Sequence, residues 1–407
     1  MTDIETVIIG GGQAGLAVSY LLQQAGREHT VLEKDAQAGN AWRNDRWDSF
    51  TLVTPNWSFH LPGGEYAGDQ PDGYMGRDAI VRRFEDYVRH QDLPVEFGVR
   101  ADSVELLDGE YRVKTSRGDL HARNVVVASG QYQKPKIPAF AASLPDNILQ
   151  LPSGQYRNPA ALPPGAILVA GAGQSGCQIA EELYQSGRQV FLTTGKAPRV
   201  PRRYRGRDIY EWMDLSGWLD RTPAQLTSLQ MRFSANPLVT GKDGGHTLNL
   251  YQFARDGVHL LGRLQDAREG KIFLADDLME NLAFSDKAEV SMIQMIDRYI
   301  AANGVDAPAE TLPVIQNGHN YPAESQVNLE SAGITTIIWA LGYSFDFSLV
   351  RLPVFDKTGF PISEGGVTRF PGLYFAGLTW LPVQKSGQLW GVAEQAGIVA
   401  SHILSRT

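Results

Sequence analysis

Thr6-Val7-Ile8-Ile9-Gly10-Gly11-Gly12-Gln13-Ala14-Gly15 stands near the start of the chain, and Ile167-Leu168-Val169-Ala170-Gly171-Ala172-Gly173-Gln174-Ser175-Gly176 repeats its pattern further on. Each is a short apolar run, long enough for a buried strand, that ends on G-x-G-x-x-G. In the first copy Gly10 permits a tight turn, Gly12 lets the backbone approach a pyrophosphate, and Gly15 allows close helix–strand packing. The helix that follows, with Ala14, Leu16-Ala17-Val18, Leu21-Leu22 and Ala25 at helical spacing, presents its unpaired N–H groups to the phosphates. A second strand, His29-Thr30-Val31-Leu32, ends on Glu33, where a carboxylate can accept both ribose hydroxyls of an adenosine. Gln13, Ala14 and Lys34 join this candidate set by position.

The second copy has the same flanks and a different ending. Its helix pattern (Ile179-Ala180, Leu183) leads through Gly187 to a strand, Gln189–Leu192, that runs into Thr193-Thr194-Gly195-Lys196 with no acidic residue. Without a carboxylate a ribose 2′-phosphate meets no repulsion, and Thr194, Lys196, Arg199, Arg202 and Arg203 are candidates to bond it. This favours NADPH over NADH. A solvated basic loop is the bland alternative for the arginines.

Composition bounds the rest. With 407 residues, 43% hydrophobic and 20% charged, the chain has the makeup of an ordinary globular protein of two or three domains. Its formal charge of −8 argues against a polyanion-binding surface, so no nucleic-acid partner is expected. One cysteine, Cys177, excludes an intrachain disulfide and argues against a thiolate metal cluster; it is expected to fill core beside Gly176. The histidines show no H-E-x-x-H spacing, and no metal site is expected. No signal peptide or membrane-spanning stretch is read, so a soluble cytoplasmic protein is the default. A homodimer is a base-rate expectation only.

Between the two copies, Val104–Leu107, Tyr111–Thr115 and the run from Leu120 read as a β-meander that continues into Asn124–Ala128 and ends at Ser129-Gly130. A proline-rich stretch then suits a boundary running over a surface. Thr335–Ala340 reads as a buried strand ending at Leu341-Gly342-Tyr343, and Leu373–Ala376 as another ending at Gly377. Phe50–Val53 is strand-like, the region from about 208 to 310 reads as mostly helical with Lys271–Ala275 as a candidate strand, and the last helix is expected from about Gln388 to Leu404.

On the paired glycine motifs, Gly39-Asn40-Ala41-Trp42, Ala128-Ser129-Gly130, Ala340-Leu341-Gly342-Tyr343 and the Gly377 segment, the chain resembles the class B flavin-dependent monooxygenases, near the N/S-monooxygenase and plant auxin-type branch. It departs from that group's F-x-G-x-x-x-H signature: Asp146–Pro152 lacks the Phe, the Gly and the His, which makes this a divergent member. Disulfide reductases share paired glycine motifs, but they need a cysteine pair beside the flavin, which a single cysteine cannot supply. The resemblance implies an α/β fold with two Rossmann-like domains of the glutathione-reductase type: an FAD domain (1–160 and 341–407) with an NADPH domain (161–340) inserted. It implies that NADPH reduces FAD, that oxygen then adds at flavin C4a, and that the peroxyflavin passes one oxygen atom to a small amine, sulfide or indole-type acid. An NADPH-dependent oxidase releasing hydrogen peroxide and a non-catalytic flavin sensor are the rival readings.

Trp42, Arg43, Val104, Ala128, Ser129, Gly130, Ala340, Leu341, Gly342, Gly377, Gly387 and Gln388 follow from the resemblance as further cofactor contacts. Family enzymes have an Asn near the peroxyflavin. Asn56 is the candidate, with a turn-forming Asn before Trp57 as the alternative. Trp57, Trp380 and Trp390 are candidates to wall the flavin or to fill core. Lys385 is a candidate to balance charge on reduced flavin, or else a surface lysine. The segment from Asp208 to Asn320 is expected to build much of the substrate pocket.

Overall fold

Apolar strand residues with no polar face dictate burial on both sides, and the chain supplies two such sets. The computed structural model describes residues 2–317 and 323–406. The first sheet begins with β1 (Thr2–Ile9), β2 (His29–Glu33), β3 (Val95–Phe97), β4 (Ala101–Leu107), β5 (Glu110–Thr115) and β6 (Gly118–Val127). The second contains β7 (Leu149–Pro152), β8 (Ala166–Ala170), β9 (Val190–Thr193), β10 (His259–Leu261) and β11 (Ile334–Trp339). The chain then returns to the first sheet with β12 (Ser363–Glu364), β13 (Val367–Thr368) and β14 (Leu373–Phe375). Strand order is β12-β13-β14-β6-β1-β2-β3 in the first, with β5 and β4 continuing from β6, and β10-β9-β8-β11-β7 in the second.

Around β1 the pairings to β2 and β6 are parallel, and all four pairings of the second sheet are parallel. The meander β4-β5-β6 is antiparallel, as its Gly-bearing turns predict. Helix α1 (Gln13–Gln24) packs between the first sheet and the final helix, while α2 (Arg77–His90) covers the same core from another side. In the second unit α3 (Gln174–Gln185) takes the place of α1, and the first turns of α4 (Leu278–Asn303) join the same core through Leu278 and Leu282; α5 (Val392–Leu404) closes the chain against α1. The α/β architecture with a second dinucleotide-type unit inserted is thus present.

Several elements differ from the sequence reading. Strand β7 pairs with β11 in the second sheet although its residues fall before the expected boundary at 160. Its Leu149 is exposed and only Leu151 is buried, so no apolar run announces it. The 208–310 region is less helical than its spacing suggests. His259–Leu261 completes the second sheet, and Leu264–Arg268 joins Gln326–Asn328 and the strand Lys271–Leu274, which the sequence reading did anticipate, in a small antiparallel sheet. Phe50–Val53 is not a strand; Thr51 alone bridges Gly76. The last helix starts at Val392, after a short 3-10 turn over Gln384–Gly387.

Candidate functional site

The two glycine loops are built alike. Gly10 has φ +110°, and a Cβ there would lie 2.5 Å from the Ala128 carbonyl oxygen; Gly171 has φ +104°, with the Ala340 oxygen 2.7 Å away. Only glycine is at ease with both demands. At Gly15 and Gly176 a Cβ would stand 1.9 and 1.8 Å from the oxygens of Gly10 and Gly171, so each helix is pressed against its own loop. Gly12 and Gly173 are the opposite case: nothing lies within 4 Å of a Cβ built on either. Neither helix start has a side-chain cap. The first-turn N–H groups therefore face open space, and the helix dipole adds partial positive charge there. The middle glycine thus leaves its side of the helix start open in both copies, where an anion could approach.

Each loop is flanked by the end of a neighbouring strand. Ala128-Ser129-Gly130 follows β6 beside Gly10, and Ala340-Leu341-Gly342 follows β11 beside Gly171. Gly130 and Gly342 both take left-handed φ, +81° in each case. The C-terminal segment reaches the first loop as well. Gly377, φ +79°, would place a Cβ 2.5 Å from that of Ala14, and Gln13 Nε2 donates to the Gly387 carbonyl at 2.9 Å. Close by, Gln388 Oε1 is buried and has no hydrogen-bond partner among the described residues, which leaves an acceptor available to a ligand donor.

Register fixes the comparison at the strand ends. Ile9 pairs with Leu32 and Ala170 with Thr193, so Thr194 is the counterpart of Glu33. The Glu33 carboxylate accepts from the Gly11 N–H at 2.7 Å and from the Asp35 N–H at 2.9 Å. Burial pushes its pKa up, and the two N–H donors pull against that. Spare lone pairs on both oxygens remain for ribose hydroxyls. Lys34 beside it is exposed. Thr194 instead is buried, donating to the Leu261 carbonyl at 2.8 Å and accepting from Asn281.

The basic residues separate sharply. Arg199 is buried and paired with Asp286 at 2.7 Å and Glu289 at 2.6 Å on α4, so its charge is already neutralised inside the protein. Arg202 is buried too, bonded to Asp208 and the Val53 carbonyl and stacked on Tyr74 and Tyr210. Arg199 is therefore corrected from phosphate candidate to internal strut. Arg203 is exposed, its guanidinium bonding the carbonyls of Gly244 and Gly245, while Lys196 pairs with Glu280 at 2.7 Å in an exposed contact. These two keep their charge accessible.

Other candidates are placed as follows. Val104 donates its N–H to the Leu349 carbonyl and accepts at its own carbonyl from the Arg351 N–H. Trp42 packs on Phe50 and Phe84, and Arg43 pairs with Glu85 at 2.6 Å while its buried Nε has no partner. Ser129 accepts from Gln133, Gln174 donates to the Pro237 carbonyl, and Ser175 is exposed at its helix start. Asn56 is buried, donating to the Gln70 carbonyl and accepting from the Met75 N–H, which is the turn-holding arrangement. Trp57 meets Trp390 edge-on at 4.8 Å, and Trp390 neighbours Tyr210. Trp380 packs near Arg221 instead. Lys385 is buried and paired with Asp220 at 2.8 Å and Glu394 at 3.0 Å; burial lowers its pKa, but the two carboxylates outweigh this and raise it. Its charge is spent within the protein. It is neither a surface lysine nor a free cation. The last residues of the Asp208–Asn320 segment, 318–320, lie outside the described residues.

One site residue escapes a motif reading. Gln395, fully buried in α5, accepts from the Gly377 N–H and donates to the carbonyls of Phe375 and Gly365, which sets the strand end that approaches Ala14. The sequence signal is a lone amide on the apolar face formed by Val392, Ala396 and Val399.

Residues 7–210 match the family model described as pyridine nucleotide-disulphide oxidoreductase. The chain belongs to that family. It is 31% identical over 404 residues to an uncharacterized CzcO-like oxidoreductase of Geobacillus kaustophilus, covering 99% of both chains. It is also similar to the indole-3-pyruvate monooxygenase YUCCA1 of Oryza sativa subsp. japonica, at 27% identity over 58% of this chain and 59% of that protein. Among solved structures, a flavin monooxygenase variant from Stenotrophomonas maltophilia superposes with TM-score 0.69 at 19% identity, covering 99% of this chain and 98% of that one. The expected likeness to flavin monooxygenases holds. No helix among the described residues is long and apolar enough to cross a membrane.

Proposed function

We propose that this oxidoreductase is an FAD-dependent, NADPH-consuming monooxygenase that places one atom of dioxygen in a small soft nucleophile. The observation that carries the reading is the duplicated cradle: two uncapped helix starts, each with an open middle glycine. The first has a carboxylate at the ribose position and the second has a threonine. Bound FAD would supply a hydride acceptor for NADPH and, once reduced, reactivity toward dioxygen.

The chain's own residues supply the rest. The first cradle would hold FAD through the Gly12–Gly15 N–H groups, Glu33 and the Ala128–Gly130 turn, with Gly377, Gly387 and the orphaned Gln388 acceptor closing it. The second would hold NADPH through Gly173–Gly176 and Ala340–Gly342, with Lys196 and Arg203 as the accessible cations for a 2′-phosphate. Trp57, Trp390 and Tyr210, from three separate segments, form an apolar wall that would keep water from the reacting centre. Lys385 acts as a positioning residue, holding Asp220 and Glu394 together.

The test has two steps. Purified protein should carry FAD and be bleached by NADPH without oxygen. Turnover with a simple sulfide under ¹⁸O₂ should then put one ¹⁸O in the sulfoxide. If all NADPH electrons appear as hydrogen peroxide, the oxidase reading replaces this one, and if NADPH fails to bleach the flavin, the sensor reading does.

A further inference from the structure

Outside both cradles, a cavity of about 800 Å³ opens between α2 and the loop that precedes it. That is the size of a small-molecule pocket. Its walls are fixed at several points. Tyr87 Oη donates to the Pro62 carbonyl at 2.7 Å, and Gln91 donates to that of Gly63 at 3.0 Å. At the far end Asn56 holds Gln70 and Met75. Close approach is built in as well, since a Cβ on Gly64 would meet the Tyr87 ring at 2.6 Å.

Arg83 is the distinctive group in this cavity. Its guanidinium lies 5.2 Å from the Phe59 ring centre and 4.8 Å from that of Tyr66, held by two aromatic faces. Among the described residues no hydrogen bond or carboxylate satisfies its edge, in contrast to Arg43, Arg199 and Arg202, which are all paired. Arg82 lines the same cavity, likewise without an ion pair among the described residues. Of the carboxylates there, Asp86 is paired with Arg89, and Asp69 sits on the exposed lip. A stacked guanidinium has lost its faces to the rings and keeps only its donor fork, which matches the two oxygens of a carboxylate.

We infer that the cavity between α2 and the 61–76 loop binds a small aromatic carboxylate, with Arg83 receiving the carboxylate and Tyr66, Tyr87 and Met75 contacting the flat apolar body. The inference is independent of which cofactors the glycine loops hold. It can be tested by calorimetry on the full chain, titrating phenylacetate, phenylacetamide and inorganic phosphate. Phenylacetate should bind at least about tenfold more tightly than the amide, the lower bound for a charge-assisted pair. Arg83→Gln should erase that preference, and Arg83→Lys should retain part of it. Hydrogen exchange of the unaltered protein supplies a second readout: phenylacetate should protect residues 61–75 and the α2 peptides. Equal binding of acid and amide, or protection confined to the glycine loops, would overturn the assignment. Stronger binding of phosphate than of phenylacetate would also overturn it. FAD content measured on the same samples separates the two proposals, because a chain without flavin would defeat the monooxygenase reading and leave these titrations interpretable.

Discussion

Arg199→Ala distinguishes a structural arginine from a cofactor ligand, and the structure sets the size of the effect. Arg199 is 5% exposed, and its partners Asp286 and Glu289 are 18% and 21% exposed. Removing the guanidinium leaves two carboxylates, three residues apart on α4, with their shared counter-charge gone. Breaking a buried pair from one side costs roughly 3–5 kcal/mol, and the partial exposure of both acids points to the lower end, about 3 kcal/mol. At about 2 °C per kcal/mol for a chain of this size, the melting temperature should fall by about 6 °C. Differential scanning fluorimetry reads this directly. Stopped-flow reduction with NADPH and NADH gives the ratio of their dissociation constants, which should not change. Adding Asp286→Asn and Glu289→Gln to an Arg199→Met background should recover most of the loss, because no charge is then left unpaired. A variant that melts within about a degree of the parent and binds NADPH selectively worse would refute the ion-triad reading and restore Arg199 as a phosphate ligand.

Other outcomes follow from the same geometry. Gly12→Val should fold normally, since a Cβ there meets nothing within 4 Å, yet be isolated without FAD, as absorbance at 450 nm would record. Gly15→Ala should destabilise by about 1–3 kcal/mol in chemical denaturation, because its Cβ would stand 1.9 Å from the Gly10 oxygen. Arg203→Ala and Lys196→Ala should each weaken NADPH more than NADH, by roughly tenfold; an unchanged ratio in both would make the loop merely solvated. The Glu181 carboxylate holds the His246 pKa above its ordinary value, against burial, so the pair stabilises the fold fully below about pH 6.5 and loses that contribution as pH rises through the raised value. Melting curves from pH 6 to 9 should show this slope, and His246→Gln should flatten it.

The sequence made both cradles legible because glycine spacing after a strand encodes a backbone shape that depends on no distant partner. Glu33 and Thr194 could be matched for the same reason, each standing a fixed distance beyond its loop. The arginines were not resolvable that way. Arg199, Arg202 and Arg203 fall within five consecutive residues, yet two are buried against acids contributed by α4 and Asp208 and one is exposed. What decides their roles is tertiary pairing, which local sequence does not carry. Lys385 was ambiguous for the same reason, since its partners come from Asp220 and Glu394. Strand β7 escaped notice because the edge of a sheet needs only one buried side chain, Leu151, to seat it.

The contact between Gln13 and Gly387 joins two points almost at opposite ends of the chain. A ribosome that has polymerised as far as Trp339 has delivered every strand of the second sheet, and the inserted unit can be complete while the protein is still being made. The outer unit has by then made β1 to β6 but still lacks β14, and α1 has no α5 to cover it. The first cradle is thus the last part of the molecule to close, and any truncation that removes the final helix forfeits it whatever remains of the N-terminal motif.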